Sequence, residues 1–328
     1  MTFKLSILDL APITEGNSAS EALNNSLELA QLAESIGFHR YWLAEHHNMI
    51  GIASSATSVV IGFIANGTSK IRLGSGGIML PNHSPLIIAE QFGTLATLYP
   101  NRIDLGLGRA PGTDQLTSNA LRRSFKDKTD YFPEEVVELQ NYLKTAKPNQ
   151  KVVAIPGEGT NIPLYILGSS LYGASLAAAL GLPLAFASHF APHYLIQAIE
   201  IYRNNFSPSE QLKKPYIILG FNIFGADTIE EAEYLRSSSL QSYLNLRKGK
   251  PGKLPPPIRD FQKKMSSEDK QLISSMVSCY SAGNTEIIKN GINDFINSTG
   301  ADELILVSSI YDHSKRMKSY KIASEVFC

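Results

Sequence analysis

PLYILGSSLYGASLAAALGLPLAFASH, residues 163–189, decides the fold. No Asp, Glu, Lys or Arg occurs between Glu158 and Glu200, a stretch long enough to cross a bilayer. Pro163, Gly168, Gly181 and Pro183 cut it into a strand (PLYILGSS), a small-residue helix (LYGASLAAAL) and a second strand (PLAFASH). Strands without charge on either face belong to a parallel sheet covered by helices, not to a membrane.

The same alternation continues in both directions. Further β-type runs are LSILDLAP (5–12), RYWLAEHH (40–47), IRLGSGGIML (71–80), RIDLGLG (102–108), PYIILGFNIFGA (215–226) and ELILVSS (303–309), which makes eight with the two already read. Amphipathic stretches lie between them. In EALNNSLELAQLAESIG, residues Leu23, Leu27, Ala30 and Glu34 fall at helical spacing and Gly37 supplies the stop. SPLIIAEQFGTLATLYP, TEIIKNGINDFINSTG and DHSKRMKSYKIASEVF follow the same rule. Strict alternation implies parallel pairing through right-handed crossovers. Eight units imply a closed (β/α)8 TIM barrel, with a doubly wound open sheet as the alternative.

Two segments exceed the minimal unit. Residues 110–162, after the fourth strand, carry APGTD, a helical FPEEVVELQNYLKT and a Gly/Pro-marked AIPGEGTNIP. Residues 228–284, after the seventh, contain RKGKPGKLPPPIRDF, an extended Pro-rich crossing. Loops of this length are often functional covers, and residues 247–260, broken by Gly and Pro and without apolar periodicity, are expected to form a mobile one. No internal repeat divides the chain, so residues 1–328 read as one domain with insertions.

With 43% hydrophobic and 18% charged residues the chain can bury a large core, which excludes global disorder. Its 30 basic and 30 acidic residues cancel without long single-sign runs, so nucleic acid is not an expected partner. Cys279 and Cys328 could form one bridge at most, which leaves no disulfide framework or zinc ribbon and fits a reducing cytosol. MTFKLSILDLAP is too short and too broken by Asp9 for a secretory signal. A cytoplasmic protein without a membrane partner is expected.

In parallel α/β folds reactive groups gather at the carboxyl ends of the strands. The first such end is Glu45-His46-His47. Side chains alternate along a strand, so His46 faces one way and Glu45 and His47 the other, and the three cannot grip one ion by adjacency alone. The spacing is neither HxH nor HExxH, which disfavours a metal centre. A structural His pair stays open beside a catalytic His, which titrates near neutrality.

The second end is LGLGRAPGTD (105–114), where Arg109 offers a planar fork of donors suited to phosphate, or else caps a barrel loop. It is neither a Walker loop nor GxGxxG. The third is LGSSLYG (167–173), where Ser169 and Ser170 stand at a helix start. Free N–H groups there can bind an anion, and the plainer alternative is a serine N-cap. The fourth is LGSGGIMLPNHSP (73–85), whose Gly76-Gly77 pair marks a bulge or a place where a flat ligand presses on the backbone; Asn82 and His83 follow as polar loop groups.

WLAEHHN, GSGGIMLPNHSPLIIAEQFGTL and RIDLGLGRAPGTD, followed by LGSS, LGLPLAFASHFAP, LRKGKPGKLPPP and TGADELILVSS, together resemble the bacterial luciferase-like flavin monooxygenases over nearly the whole chain. The resemblance implies a (β/α)8 barrel with insertions, and reduced FMN, or in one branch a deazaflavin, as cofactor. It implies that His46 is the active-site histidine, that Glu45 lies near the flavin ring, and that Gly76 and Gly77 lie beneath it, often joined by a cis peptide. It assigns the phosphate to Arg109, Ser170 and the neighbours Ser169 and Gly173. It further implies dioxygen and a small organic substrate, a separate flavin reductase, and a homodimer built from helices beside the early strands. Gly108 stands where the luciferase α subunit has a cysteine, which argues against light emission. Hydride transfer with a deazaflavin, flavin binding without turnover, and a metal hydrolase on an unrelated barrel are the competing readings.

Overall fold

A computed structural model describes residues 3–110, 113–121, 131–274 and 278–325; Pro111, Gly112 and Cys328, named above, lie outside them. Its strands are β1 (Lys4–Asp9), β2 (Arg40–Leu43), β3 (Arg72–Met79), β4 (Ile103–Gly108), β5 (Leu164–Gly168), β6 (Leu184–Phe186), β7 (Ile217–Gly225), β8 (Tyr280–Gly283) and β9 (Glu303–Val307). β1 to β7 pair in sequence, all parallel, and β9 closes the ring between β7 and β1. The closing registers set Leu184 opposite Ile217, Leu219 opposite Leu304, and Leu5 opposite Leu304. The eight apolar runs are thus the eight strands of a (β/α)8 barrel. The short β8 was not among them. It pairs only with the far half of β7, Asn222–Gly225, beyond the barrel wall.

Helices α1 (Ala19–Ser35), α2 (Thr57–Asn66), α3 (Pro85–Leu98), α5 (Phe132–Leu143), α6 (Leu171–Leu180), α7 (Leu195–Asn204), α11 (Thr285–Thr299) and α12 (His313–Ser324) surround the strands; α4 (Gln115–Leu121), α8 (Ile229–Arg247), α9 (Phe261–Lys264) and α10 (Ser267–Ile273) belong to the two insertions. α1 starts on a capping box in which Ser18 accepts from the Glu21 N–H and Glu21 accepts from the Ser18 N–H. It ends before Gly37, whose φ of 87° is the left-handed stop that the sequence predicted.

Strand alternation sorts two cores. Leu5, Ile7, Tyr41, Leu43, Leu73, Ile103, Leu105, Ile166 and Leu219 face the helices, while Leu8, Trp42, Ala44, Tyr165, Ala185, Ile218 and Ile305 fill the barrel. The barrel floor is charged. Arg40 donates to Asp104 (2.7 Å), Glu303 (2.8 Å) and the Tyr165 hydroxyl (2.7 Å), and Tyr216 donates to Glu303 (2.7 Å). Arg40, Asp104, Glu303 and Tyr165 are enclosed, and their mutual bonds offset the cost of taking charge out of water.

Residues 247–260, expected as a mobile cover, are tied to neighbouring elements at Lys253, Leu254 and Ile258. The Leu254 N–H donates to the Ile13 carbonyl and the Glu15 N–H donates back to Leu254, both at 2.9 Å. Lys253 Nζ reaches the Asn17 carbonyl at 2.7 Å, and the Ile258 N–H donates to Ser237 Oγ at 2.7 Å. Leu254 is buried. Composition gave no warning of this, since Gly and Pro exclude helix and strand without saying what the backbone bonds to.

Candidate active site

Past Leu43 the chain leaves β2, and Glu45 turns inward to near-complete burial. Its Oε1 accepts hydrogen bonds from Nε2 of His47 at 2.7 Å and Nε2 of His83 at 2.8 Å, and Oε2 accepts the Met79 N–H at 3.2 Å. An ionised carboxylate has no proton to give, so both Nε2 atoms carry one. Burial alone would raise the Glu45 carboxyl, but the bonds from His47 and His83 outweigh it and hold the group down at about 2. Glu45 is a fixed negative charge.

The ligand atoms of Glu45, His47 and His83 lie within 4.8 Å of one another. Separations of 2.7 and 2.8 Å are those of N–H···O bonds, whereas ligands on a tetrahedral ion stand more than about 3 Å apart. The cluster is a hydrogen-bonded triad. His46 stands apart from it, as strand alternation predicted: its Nδ1 is enclosed without a partner among the described residues. Burial lowers its pKa below the usual histidine value, despite the opposing pull of the Glu45 charge.

The Gly76-Gly77 peptide is cis, and the β3–β4 register shifts between Ser75 and Ile78. A Cβ on Gly77 would stand 2.7 Å from the Gly106 carbonyl oxygen. Close approach of β4 therefore demands glycine there before any ligand does.

Arg109 leaves the end of β4 and lies with its guanidinium carbon 4.0 Å from the centre of the Tyr172 ring, in the first turn of α6. Ser170 is the N-cap residue of that helix by backbone conformation, yet its side chain makes no cap hydrogen bond. The plain capping alternative thus fails, and the hydroxyl and the first N–H groups of α6 face the same end as Arg109. Ser169 is exposed beside it, while Gly173 is buried beneath the turn against Gly168.

β2 to β5 are neighbours in the barrel, so Glu45, His46, Gly76, Gly77, Arg109, Ser169 and Ser170 occupy one arc of its rim. Next around the ring, on β7 and past the end of β6, stand the buried Asn222, which is hydrogen-bonded to Tyr243 of α8, and His189. The sequence reading gave no role to Tyr172 or Tyr243 and did not link His83 to Glu45. A groove of about 670 Å³ runs along α5 between Glu134 and Lys144. It lies on the outer wall, away from the strand ends that carry the candidate site.

The sequence pattern of the luciferase-like monooxygenase family matches residues 3–302. A protein of Escherichia coli (strain K12) described as a luciferase-like monooxygenase is 52% identical over 325 residues, covering 99% of this chain and 97% of its own. The crystal structure of apo-MsnO8 superposes with a TM-score of 0.87 at 32% identity, covering 99% and 98% of the two chains. The fold also recurs in the oxygenating constituent of a Pseudomonas putida 3,6-diketocamphane monooxygenase in complex with FMN (TM-score 0.72, 18% identity, 99% and 97% covered). It recurs again in an F420-dependent secondary alcohol dehydrogenase (TM-score 0.68, 17% identity, 99% and 98% covered).

Proposed function

The chain belongs to the luciferase-like monooxygenase family, and on that premise we propose that it is an FMN-dependent monooxygenase acting with dioxygen on a small organic substrate. The observation that carries this reading is the pairing of Arg109 with the uncapped start of α6: a planar cation over Tyr172, beside a Ser170 hydroxyl that caps nothing, suits a phosphate. These residues fit FMN.

Reduced FMN, when bound, supplies the electrons that activate dioxygen. The chain supplies position and proton control. Arg109, Ser169 and Ser170 would hold the phosphate, and Gly173, packed against Gly168, would leave room for it at the start of α6. Gly76 and Gly77 would let the flavin ring approach the β3 backbone, and Glu45, fixed as an anion by His47 and His83, would present a negative charge to it. His46, neutral at pH 7 and with one unpartnered nitrogen, takes or returns a proton at the reacting centre.

Titration of the protein with FMN, reduced FMN and F420 tests the reading: reduced FMN should bind most tightly. Preference for F420 would favour hydride transfer instead, a second reading supported by the F420-dependent dehydrogenase of the same fold. A separate reductase fits the reading, since the sequence carries no second nucleotide motif. Exposed Val59 and Phe63 on α2, with Ile87 and Leu98 on α3, support a homodimer through these helices. No helix among the described residues is long and apolar enough to cross a membrane, in keeping with a cytoplasmic enzyme.

A further inference from the structure

The proposed roles leave one histidine of the mouth unused. Beyond β6 the chain turns through Ala187-Ser188-His189, and three bonds fix the turn: the Ala187 N–H donates to the Gly168 carbonyl at 2.9 Å, Ser188 Oγ to the Gly220 carbonyl at 2.7 Å, and Asn222 Nδ2 to the His189 carbonyl at 2.7 Å. Asn222 is itself held by Tyr243. The backbone under His189 is therefore immobilised from β5, β7 and, through Tyr243, α8.

The ring is wedged against β7. A Cβ on Gly220 would fall 2.0 Å from its Nδ1, so only glycine at 220 admits this rotamer. Nδ1 is sealed from solvent without a hydrogen-bond partner among the described residues, whereas the residue as a whole is only half-buried. No group among the described residues bonds to Nε2, which leaves that edge of the ring for the mouth. A sealed N–H without an acceptor is the rarer and costlier orphan, so the lone pair sits on Nδ1 and the proton on Nε2. Burial, with no charged neighbour among the described residues acting on the ring, pushes its pKa down to about 4.

We propose that His189 is a further ligand-contacting residue of the site, a neutral Nε2–H donor that engages an acceptor oxygen, such as a carbonyl, on the organic substrate. The proposal rests on reading the mouth as a flavin and substrate site. It places the substrate's acceptor atom on the β6–β7 side, beside the β5 end that carries Ser169 and Ser170 and across the ring from the β2 end that carries His46. Asn222 and Tyr243 act on it only through the His189 backbone.

The test is long-range proton–nitrogen correlation NMR on histidine-labelled, FMN-loaded protein, with the His189 signal assigned by its loss in His189→Gln. The expected pattern is a neutral Nε2–H ring unchanged from about pH 5.5 to 8.5. Cyclohexanone, as a carbonyl probe, should shift that signal; its affinity should fall about tenfold in His189→Phe and stay within about threefold in His189→Gln, which keeps a donor. An imidazolium or Nδ1–H ring at pH 7, or a signal that cyclohexanone leaves unmoved, overturns the proposal. So does an FMN affinity lowered about tenfold in His189→Phe, which would make His189 a flavin ligand. Should the phenylalanine variant not fold, the wild-type tautomer and probe shift decide alone. Wild-type protein that binds no FMN would sink the functional reading instead, and the same probe titration on flavin-free protein then judges His189.

Discussion

Arg109 lays its guanidinium over the ring of Tyr172, 4.0 Å from the ring centre, and so ties the chain leaving β4 to the first turn of α6. The guanidinium is planar by resonance, and its place over the ring face holds it by a cation–π contact while leaving edge donors for an anion. Arg109→Ala should therefore weaken FMN by about 1.5–3 kcal/mol, or about ten- to a hundredfold, and riboflavin, which lacks the phosphate, far less. Calorimetric titration of both ligands checks it. Equal losses would return Arg109 to a loop-capping role.

His46 should matter to chemistry more than to folding. Its unpartnered Nδ1 and lowered pKa describe a base available at neutral pH. His46→Ala is expected to keep FMN affinity and the unfolding midpoint, and to slow the oxidation of bound reduced FMN by oxygen about a hundredfold, the lower range for a lost acid–base group. In the wild type that rate should hold through neutrality and fall only as pH drops through the depressed histidine value. A flavin absorbance trace unchanged by the substitution would leave His46 structural.

Glu45 makes stability depend on acid. Its carboxyl lies at about 2 in the fold against an ordinary 4.5, so its contribution is fully present above about pH 4.5 and is lost as pH falls toward 2. The shift corresponds to about 3 kcal/mol. Glu45→Gln should lower the urea midpoint at pH 7 accordingly, and the gap to wild type should narrow at pH 3. A gap constant with pH would mean that packing, not charge, is what Glu45 provides.

Much of the fold was legible because parallel strands buried on both faces must be almost free of charge, and PLYILGSS, PLAFASH and PYIILGFNIFGA obey that constraint. β8 was not, because YSAG is short and pairs only with the half of β7 that has left the barrel. The split of His46 from Glu45 and His47 followed from side-chain alternation. The bond from His83 did not, since its partner lies 38 residues away and nothing local selects it. The floor left a signal that was overlooked: Arg40, Asp104 and Glu303 are charges inside or at the edge of apolar runs, where a charge without a partner would be prohibitive.

That floor should be sensitive to removal of one partner. Arg40→Met would strip the enclosed Glu303 of its cation and leave the enclosed Asp104 with Arg72 alone. A loss of about 3–5 kcal/mol in unfolding free energy is expected. Adding Glu303→Leu should recover part of it by removing one stranded charge. Two losses that simply add in the double variant would show that the pair does not interact.

The Pro-rich crossing gives the last test, because a strap and a lid behave oppositely. Leu254 is buried, and its backbone bonds Ile13 and Glu15, while the Ile13 N–H donates to Gly51 in the loop that follows Glu45, His46 and His47. Release of the strap should loosen that loop as well. In the wild type the bonds after Lys248 and Lys253 should resist trypsin, since Lys253 and Leu254 are tied down by hydrogen bonds; Lys250 precedes Pro251 and is no trypsin site. Leu254→Ala, a large-to-small change in a buried position, should cost about 2–5 kcal/mol and open these sites to cleavage. Deletion of residues 248–258 should lower the unfolding midpoint substantially. Rapid cleavage of the wild type, together with a deletion that leaves the midpoint unchanged and only increases hydrogen peroxide release from reduced FMN and oxygen, would restore the mobile cover and reject the strap.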